Sequence, residues 1–116
     1  MVTFTLFKPD GTALFAPVFG LVDSGADGSM FPMDVMPALG ISQSDCAKKP
    51  QLGSSGRGEC YEWNGGTLPA DFWGITVNLK MDFSDTPFIL LGRTDFFSYF
   101  TVAFDQRRRR FVLESY

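Results

Sequence analysis

Short apolar runs, each broken by glycine or proline, constrain the fold of this chain more than any other feature. The 116 residues include 12 Gly and 7 Pro, residue types that interrupt helices and favour turns. A hydrophobic share of 45%, with 13 Phe, can fill one core of modest size. The sequence therefore predicts a single all-β or mainly β domain over residues 1–116, with mostly antiparallel strands.

The apolar patterns predict where the strands lie. Residues 2–7 alternate and residues 12–22 are nearly continuously apolar, so we expect a hairpin whose second arm is buried on both faces. Residues 42–66 are polar and rich in glycine, as is typical of a mobile hairpin or lid. Further strands are predicted at 29–32, 72–81, 87–91, 101–104 and 111–114, with turns at 82–86 and 105–107. Helical turns are predicted at 34–39 and 96–100, the second with Thr94 or Asp95 near its start.

Charge and residue types exclude several classes of function. The formal charge is −3 and there is no histidine, which argues against nucleic acid as a partner and against Ser–His or Cys–His catalysis. The basic run Arg107 to Arg110 is predicted to be a solvated hairpin tip. Cys46 and Cys60 lack the spacing of a zinc site and are predicted to be free thiols. No metal or other cofactor is expected.

The sequence holds no apolar stretch near the roughly 20 residues that a membrane span requires. Its N-terminus lacks the basic and apolar regions of a signal peptide. We therefore expect an intracellular protein without a membrane partner.

Asp23 follows directly after the apolar run and begins the sequence Asp-Ser-Gly-Ala-Asp. A preceding buried strand would hold its carboxylate rigidly, Gly25 permits a tight turn, and the Ser24 hydroxyl can brace that turn. Two carboxyl groups that share one proton can hydrolyse an amide, because the ionised group takes a proton from water while the protonated group polarises the carbonyl. The triplet alone is also an ordinary turn, so its context decides how it is interpreted.

That context resembles the retropepsin family of aspartic proteases in two segments. The first runs from Leu21 to Asp27 and continues through an extended apolar segment to Leu39-Gly40. The second, Ile89 to Phe97, is similar to the family's apolar run, G-R-[DN] and short helix, and residues 102–113 look like its closing hairpin. The resemblance implies a closed, mainly antiparallel β-barrel with one short C-terminal helix.

The resemblance also implies roles for the residues of the triplet and those after it. Asp23 is the expected catalytic aspartate, and Ser24 and Gly25 complete the catalytic loop. Ser24 would bridge the two active-site loops across a dimer. Ala26 and Asp27 are expected to bind the substrate, with Gly25 and Asp27 facing its backbone.

Supporting and lid residues follow from the same resemblance. Arg93, beside Gly92, is expected to support the site by pairing with Asp27 or with the partner chain, because a guanidinium suits a carboxylate. The expected flap has its tip at residues 52–59. Its substrate contacts would come from Ser55, Gly56, Arg57 and Gly58. Apolar subsites are expected from Leu21, Phe31, Leu90 and Leu91.

The chain contains a single D-[ST]-G triplet, so one copy cannot supply both carboxylates. A homodimer with its two-fold axis between two copies of Asp23 is therefore required by this mechanism. Activity on a peptide or polypeptide substrate should then fall more steeply than protein concentration on dilution.

Two alternatives remain open. A catalytically inactive retropepsin-like module could keep the fold and serve in dimerisation or interaction, although an intact Asp23 triplet argues against it. A structural β-barrel that binds charged ligands would leave both resembling segments unexplained. Trp73 is expected in the core, whereas Tyr61 and Trp63 could either fill the core or stack on a ligand.

Overall fold

The computed structural model describes residues 1–23, 25–50, 58–105 and 110–115. Within these residues the strands are β1 (Val2–Leu6), β2 (Val18–Val22), β3 (Phe31–Pro32), β4 (Cys46–Pro50), β5 (Glu59–Phe72), β6 (Ile75–Ser84), β7 (Ile89–Leu91), β8 (Phe100–Asp105) and β9 (Arg110–Ser115). The helices are α1 (Val35–Ala38) and α2 (Phe96–Tyr99), with a 3-10 turn at Gln43–Asp45.

Seven strands form one sheet, in the order β3-β6-β5-β1-β2-β7, with β4 paired to β5. The pairs β2–β7 and β3–β6 are parallel, and the other pairs are antiparallel. Met30, just before β3, forms a bridge with Leu90 of β7. Because this bridge joins the two ends of the strand order, the sheet nearly closes into a barrel. β8 and β9 form a separate antiparallel hairpin.

Aromatic side chains fill the core at the end of the barrel near α2. The rings of Phe4 and Phe72 stack with centroids 4.5 Å apart, and Phe96 stacks on Phe100 at 4.9 Å. Phe72 also contacts Phe96 at 5.2 Å. This contact joins the two stacked pairs, so the helix after β7 is anchored to the middle of the sheet.

β2 differs from the predicted arm at 12–22. It begins only at Val18, after bends and Pro17, and it is not buried on both faces: Phe19 is 60% exposed and Leu21 40% exposed, whereas Gly20 is buried. The reason is that β2 lies in a single sheet layer, so alternate side chains face the core and the outside. The apolar run is continuous because both faces of β2 carry apolar side chains, but the core covers only one of these faces.

The strand predicted at 72–81 begins too early: residues 75–81 belong to β6, whereas residues 72–74 do not. Phe72 ends β5 and Ile75 begins β6, and the two residues pair across a two-residue loop. Trp73 (φ +55°) and Gly74 (φ +91°) form that loop, and positive φ at both positions is what a tight hairpin turn of this twist requires. Trp73 is consequently 58% exposed and not in the core.

The predicted turn at 82–86 begins too early. β6 continues to Ser84, because Asp82 pairs with Glu62 and Phe83 pairs with both Tyr61 and Phe31. Asp82 and Ser84 are residue types that favour turns, but their pairing with neighbouring strands outweighs this local preference.

The other predicted elements are present within a few residues of their expected bounds. They are β1, the extended segment before α1, α1 itself, β7, α2 with Asp95 at its N-cap, and the closing hairpin of β8 and β9. Cys46 and Cys60 are free thiols, as predicted. No helix in the described part of the chain is long and apolar enough to cross a membrane.

Candidate active site

Asp23 lies at the end of β2, where the backbone leaves the sheet. Its N–H donates to the carbonyl oxygen of Leu91 on β7 (3.0 Å), so the last pairing of the parallel β2–β7 ladder holds this residue. The turn then folds back on the side chain: the Gly25 N–H donates to Asp23 Oδ1 (2.9 Å) and the Ala26 N–H donates to the Asp23 carbonyl (3.2 Å). The Asp23 side chain is half-buried, with one carboxylate oxygen oriented by a backbone amide.

The loop after Asp23 is attached to the segment that follows β7. The N–H groups of Arg93 and Thr94 donate to the carbonyls of Ala26 (3.0 Å) and Asp27 (2.7 Å). Gly92 explains why these backbones can approach, because a Cβ there would lie 2.4 Å from the carbonyl carbon and oxygen of Gly28. Only glycine therefore fits at position 92. The two sequence segments that resemble the retropepsin family meet at this point.

Arg93 also contacts this loop through its side chain. Its Nη2 donates to Asp27 Oδ1 at 2.7 Å, which confirms the pairing within one chain, one of the two that the sequence left open. The side chains of Arg93 and Asp27 are 60% and 87% exposed. An ion pair this exposed contributes at most about 1 kcal/mol, so it orients the Asp27 side chain more than it stabilises the fold.

A buried polar network supports the Asp23 loop. Nothing in the sequence predicted this network. Ser29 Oγ donates to Asp95 Oδ1 (2.7 Å) and accepts from the Gly92 N–H (3.2 Å). The Asp95 carboxylate also accepts hydrogen bonds from the Phe96 N–H of α2 (2.7 Å) and from the Lys80 N–H of β6 (3.0 Å). The carboxylate of Asp95 thus joins the Asp23 loop, α2 and β6.

An apolar surface lies beside Asp23 on the outer face of β2 and β7. Leu21 pairs in register with Leu90. Leu21 is 40% exposed, and Leu90 is half-buried. Phe88, two residues before Leu90, is 50% exposed and was not among the predicted subsite residues. Its period-two spacing from Leu90 is the signal that could have found it.

Two of the predicted subsite residues are wrong. Phe31 and Leu91 have no exposed surface and lie in the core. Leu91 follows Leu90 directly on β7, so its side chain lies on the opposite face of the strand and points into the barrel. Phe31 of β3 is packed in the same core.

The hairpin of β4 and β5 lies within the segment in which the sequence predicts a lid, and its role as a lid stays a prediction. Its arms pair from Cys46↔Trp63 to Pro50↔Glu59. Gly58, with φ +127°, is the first described residue after the tip. Tyr61 and Trp63 are half-buried and pack against the core. The predicted contacts Ser55, Gly56 and Arg57 lie outside the described residues, as does Ser24.

Within the described residues, no group of three or more His, Cys, Asp or Glu side chains is arranged to hold a metal ion. The polar groups at this site include the Asp23 carboxylate, the backbone amides of its loop and the neighbouring Asp27–Arg93 pair.

Comparison with known proteins gives results for structure only. No family model matches the chain, and no curated protein matches it. Among solved structures, it is similar to the retroviral protease-like domain of Ddi1 from Leishmania major, with a TM-score of 0.60 and 14% identity over 98% of this chain and 88% of that one. It is also similar to EIAV protease complexed with an inhibitor, with a TM-score of 0.52 and 22% identity over 79% and 81% of the two chains.

These similarities define the class of fold. The nearly closed, mainly antiparallel barrel with one short C-terminal helix is a retropepsin-like fold, as predicted. At these identities the likeness concerns the fold, and function has to be argued from the site.

Proposed function

We propose that this chain is the subunit of a homodimeric aspartic endopeptidase in which Asp23 from each copy supplies one catalytic carboxylate. The observation that carries the proposal is the position of Asp23: it follows a paired strand, it is held through Leu91, and one of its carboxylate oxygens accepts the Gly25 N–H. A base fixed in this way needs little reorganisation when it takes up a proton.

Two carboxyl groups in contact cannot both be ionised, because like charges repel strongly at short range. In the proposed dimer, one Asp23 is ionised and takes a proton from water, while the other is protonated and donates a hydrogen bond to the scissile carbonyl oxygen. The resulting hydroxide attacks the carbonyl carbon. The tetrahedral intermediate then collapses: the C–N bond breaks as the amide nitrogen accepts the proton that the first Asp23 took from water, so an amine leaves and a carboxylic acid remains.

The surroundings of Asp23 support a peptide substrate with apolar side chains. Leu21, Phe88 and Leu90 provide an outer apolar surface next to the carboxylate, and exposed apolar surface of this kind marks binding sites. Asp27 and Ala26 lie on the same loop and would contact the substrate backbone. The hairpin of β4 and β5 would close over the substrate and exclude water.

Replacement of Asp23 by asparagine tests the mechanism. Asp23→Asn keeps the size of the side chain but removes the base, so cleavage of a mixed peptide library is expected to fall at least about 100-fold. The matched control is Asp34→Asn, because Asp34 is an exposed aspartate whose side chain caps no helix amide. The control is expected to cleave like the unmodified protein.

The outcomes separate the proposal from the inactive-module alternative. Cleavage by the unmodified protein and by Asp34→Asn, but not by Asp23→Asn, supports the peptidase. Equal cleavage by Asp23→Asn contradicts the mechanism. Absence of cleavage by the unmodified protein, over mildly acidic to neutral pH, favours a module that keeps the fold without activity.

A further inference from the structure

A charged cluster lies at the base of the β4–β5 hairpin, outside the proposed active site. Glu62 of β5 pairs in register with Asp82 of β6, and Lys80 lies two residues before Asp82 on the same strand face. Lys49 of β4 pairs with Cys60, which shares its strand face with Glu62. We call Lys49, Glu62, Lys80 and Asp82 the hairpin-base cluster.

The two lysines of this cluster bind one of its acids in preference to the other. Glu62 Oε2 accepts from Lys49 Nζ and lies 3.2 Å from Lys80 Nζ. Asp82 has only a long contact, 3.9 Å from its Oδ2 to Lys80 Nζ. The ammonium groups therefore join β4 and β6 to Glu62 on the strand between them.

Asp82 is the buried member of the cluster. The residue is 8% exposed, and no donor among the described residues reaches its Oδ1. Glu62 across the strand pair and Asp95 at the start of α2 add negative charge nearby, while Lys49 and Lys80 partly offset it. The buried Cys60 thiol is the remaining titratable neighbour. A negative charge at Asp82 is thus held without adequate partners.

We propose that Asp82 is a proton switch that sets how firmly the β4–β5 hairpin is anchored to β6. With Asp82 ionised, two carboxylates compete for two lysines across the three neighbouring strands β4, β5 and β6. With Asp82 neutral, the repulsion between Asp82 and Glu62 is gone and both lysines are left to Glu62. The anchoring of the hairpin is therefore strongest when Asp82 is neutral and Glu62 is ionised.

The directions in which the pKa values of Asp82 and Glu62 shift define the pH range in which the hairpin is anchored most firmly. Burial raises the pKa of Asp82, so its contribution to stability is complete below the ordinary pKa of an aspartate and is lost as pH rises through the raised value. Hydrogen bonds from Lys49 and Lys80 lower the pKa of Glu62, so its contribution is lost as pH falls through the lowered value. The hairpin base is most stable between these two pKa values.

Lys80 places this switch next to the Asp23 loop. Its backbone N–H donates to Asp95, whose carboxylate holds Ser29, while its ammonium group contacts Glu62. Lys80 is consequently linked to the hairpin through its side chain and to the Asp23 loop through its backbone N–H, by way of Asp95 and Ser29. The inference concerns the stability of the hairpin and stands independently of any catalysis.

Hydrogen exchange measured by NMR tests the switch. Protection of the amides in β4 and in residues 59–62, corrected for the intrinsic exchange rate, is followed from about pH 4 to about pH 8. In the unmodified protein, protection should fall as pH rises through the pKa of Asp82, by up to about tenfold for each unit by which that pKa is raised.

Two variants sharpen the result. Asp82→Asn keeps the shape of the side chain without its charge, so its protection at neutral pH should equal or exceed that of the unmodified protein and should not show this fall. Asp71→Asn is the matched control on β5, where Asp71 pairs with Thr5 and Thr76 and lies outside the cluster. It should keep the unmodified profile.

An Asp82→Asn profile that matches the unmodified protein overturns the proposal. A direct measurement covers the case in which that variant does not fold: the side-chain carboxyl carbons of the unmodified protein are titrated by NMR. Titration of Asp82 at a higher pH than Glu62 supports the switch, and the reverse order overturns it.

Discussion

Ser29 illustrates how much one small side chain can determine in a retropepsin-like fold. Its hydroxyl has no exposed surface, donates to the buried Asp95 carboxylate and accepts from the Gly92 N–H. These contacts set the end of the Asp23 loop against α2. Without the hydroxyl, Asp95 Oδ1 keeps only the Phe96 N–H, and the buried Gly92 N–H loses its acceptor. A buried polar group that loses its partner costs more than an ordinary hydrogen bond contributes.

We therefore expect Ser29→Ala to lower the free energy of unfolding by about 1–3 kcal/mol, measured by urea denaturation. The matched control is Ser98→Ala, which removes an exposed hydroxyl bonded to the Thr94 carbonyl and should change stability by less than about 0.5 kcal/mol. Equal effects of the two substitutions would show that the Ser29–Asp95 contact is unimportant for the fold.

Among the elements, the β5–β6 hairpin depends on two residues with positive φ. A β-branched side chain is strained in that region of backbone conformation. Gly74→Val is therefore expected to lower the free energy of unfolding by about 1–3 kcal/mol in thermal or urea denaturation.

Trp73→Asn is the companion substitution, because asparagine adopts positive φ readily. It removes edge contacts of the indole ring with Phe72 and Phe100 but relaxes the turn, so we expect a net change within about 1 kcal/mol. If Gly74→Val is as stable as the unmodified protein, the turn is not strained by a side chain and the explanation fails.

How much could be predicted from the sequence depends on the range of the interactions involved. β1, β7 and α2 were predicted because alternation and the N-cap residue Asp95 are local signals. The Trp73 turn was missed because the apolar alternation of 72–81 masks it, and Asn or Asp would have marked it more clearly. The terminal residues of β6 were missed because their pairing with β3 and β5 overrides their turn propensity.

The residues of the candidate site also divide into those with a local sequence signal and those whose contacts are long-range. The position of Asp23 directly after a strand and the Arg93–Asp27 contact could be predicted because each lies in a recognisable segment of sequence. The catalytic role of Asp23 stays a prediction. The Ser29–Asp95 hydrogen bond joins residues 66 positions apart, and nothing near either residue indicates its partner. The burial of Asp82 likewise depends on how β4, β5 and β6 pack together, which no local pattern reveals.

As a whole molecule, one copy of the chain leaves several large apolar side chains uncovered. Phe19, Leu21 and Phe88 are each at least 40% exposed, and Leu21 lies two residues before Asp23. In the dimer proposed above, this apolar surface near Asp23 would contact a second copy of the chain and a bound peptide.

Mixed dimers give the most direct test of a shared site. Unmodified chains and Asp23→Asn chains are combined in equal amounts, unfolded in urea and refolded together so that pairing is random. If both copies of Asp23 are required, only dimers of two unmodified chains cleave, and peptidase activity should be about one quarter of that of the same total amount of unmodified protein. Chains that act independently would retain about one half.

The control for this experiment replaces Asp23→Asn with Asp34→Asn, whose mixed dimers keep both catalytic carboxylates and should retain full activity. Total concentration is held well above the level at which activity per chain begins to fall on dilution, because dissociation would otherwise lower activity by mass action. With the control at full activity, about one half in the Asp23→Asn mixture would mean that each chain acts through its own carboxylate, and about three quarters would mean that one carboxylate per dimer suffices. Either result would contradict a site that needs both.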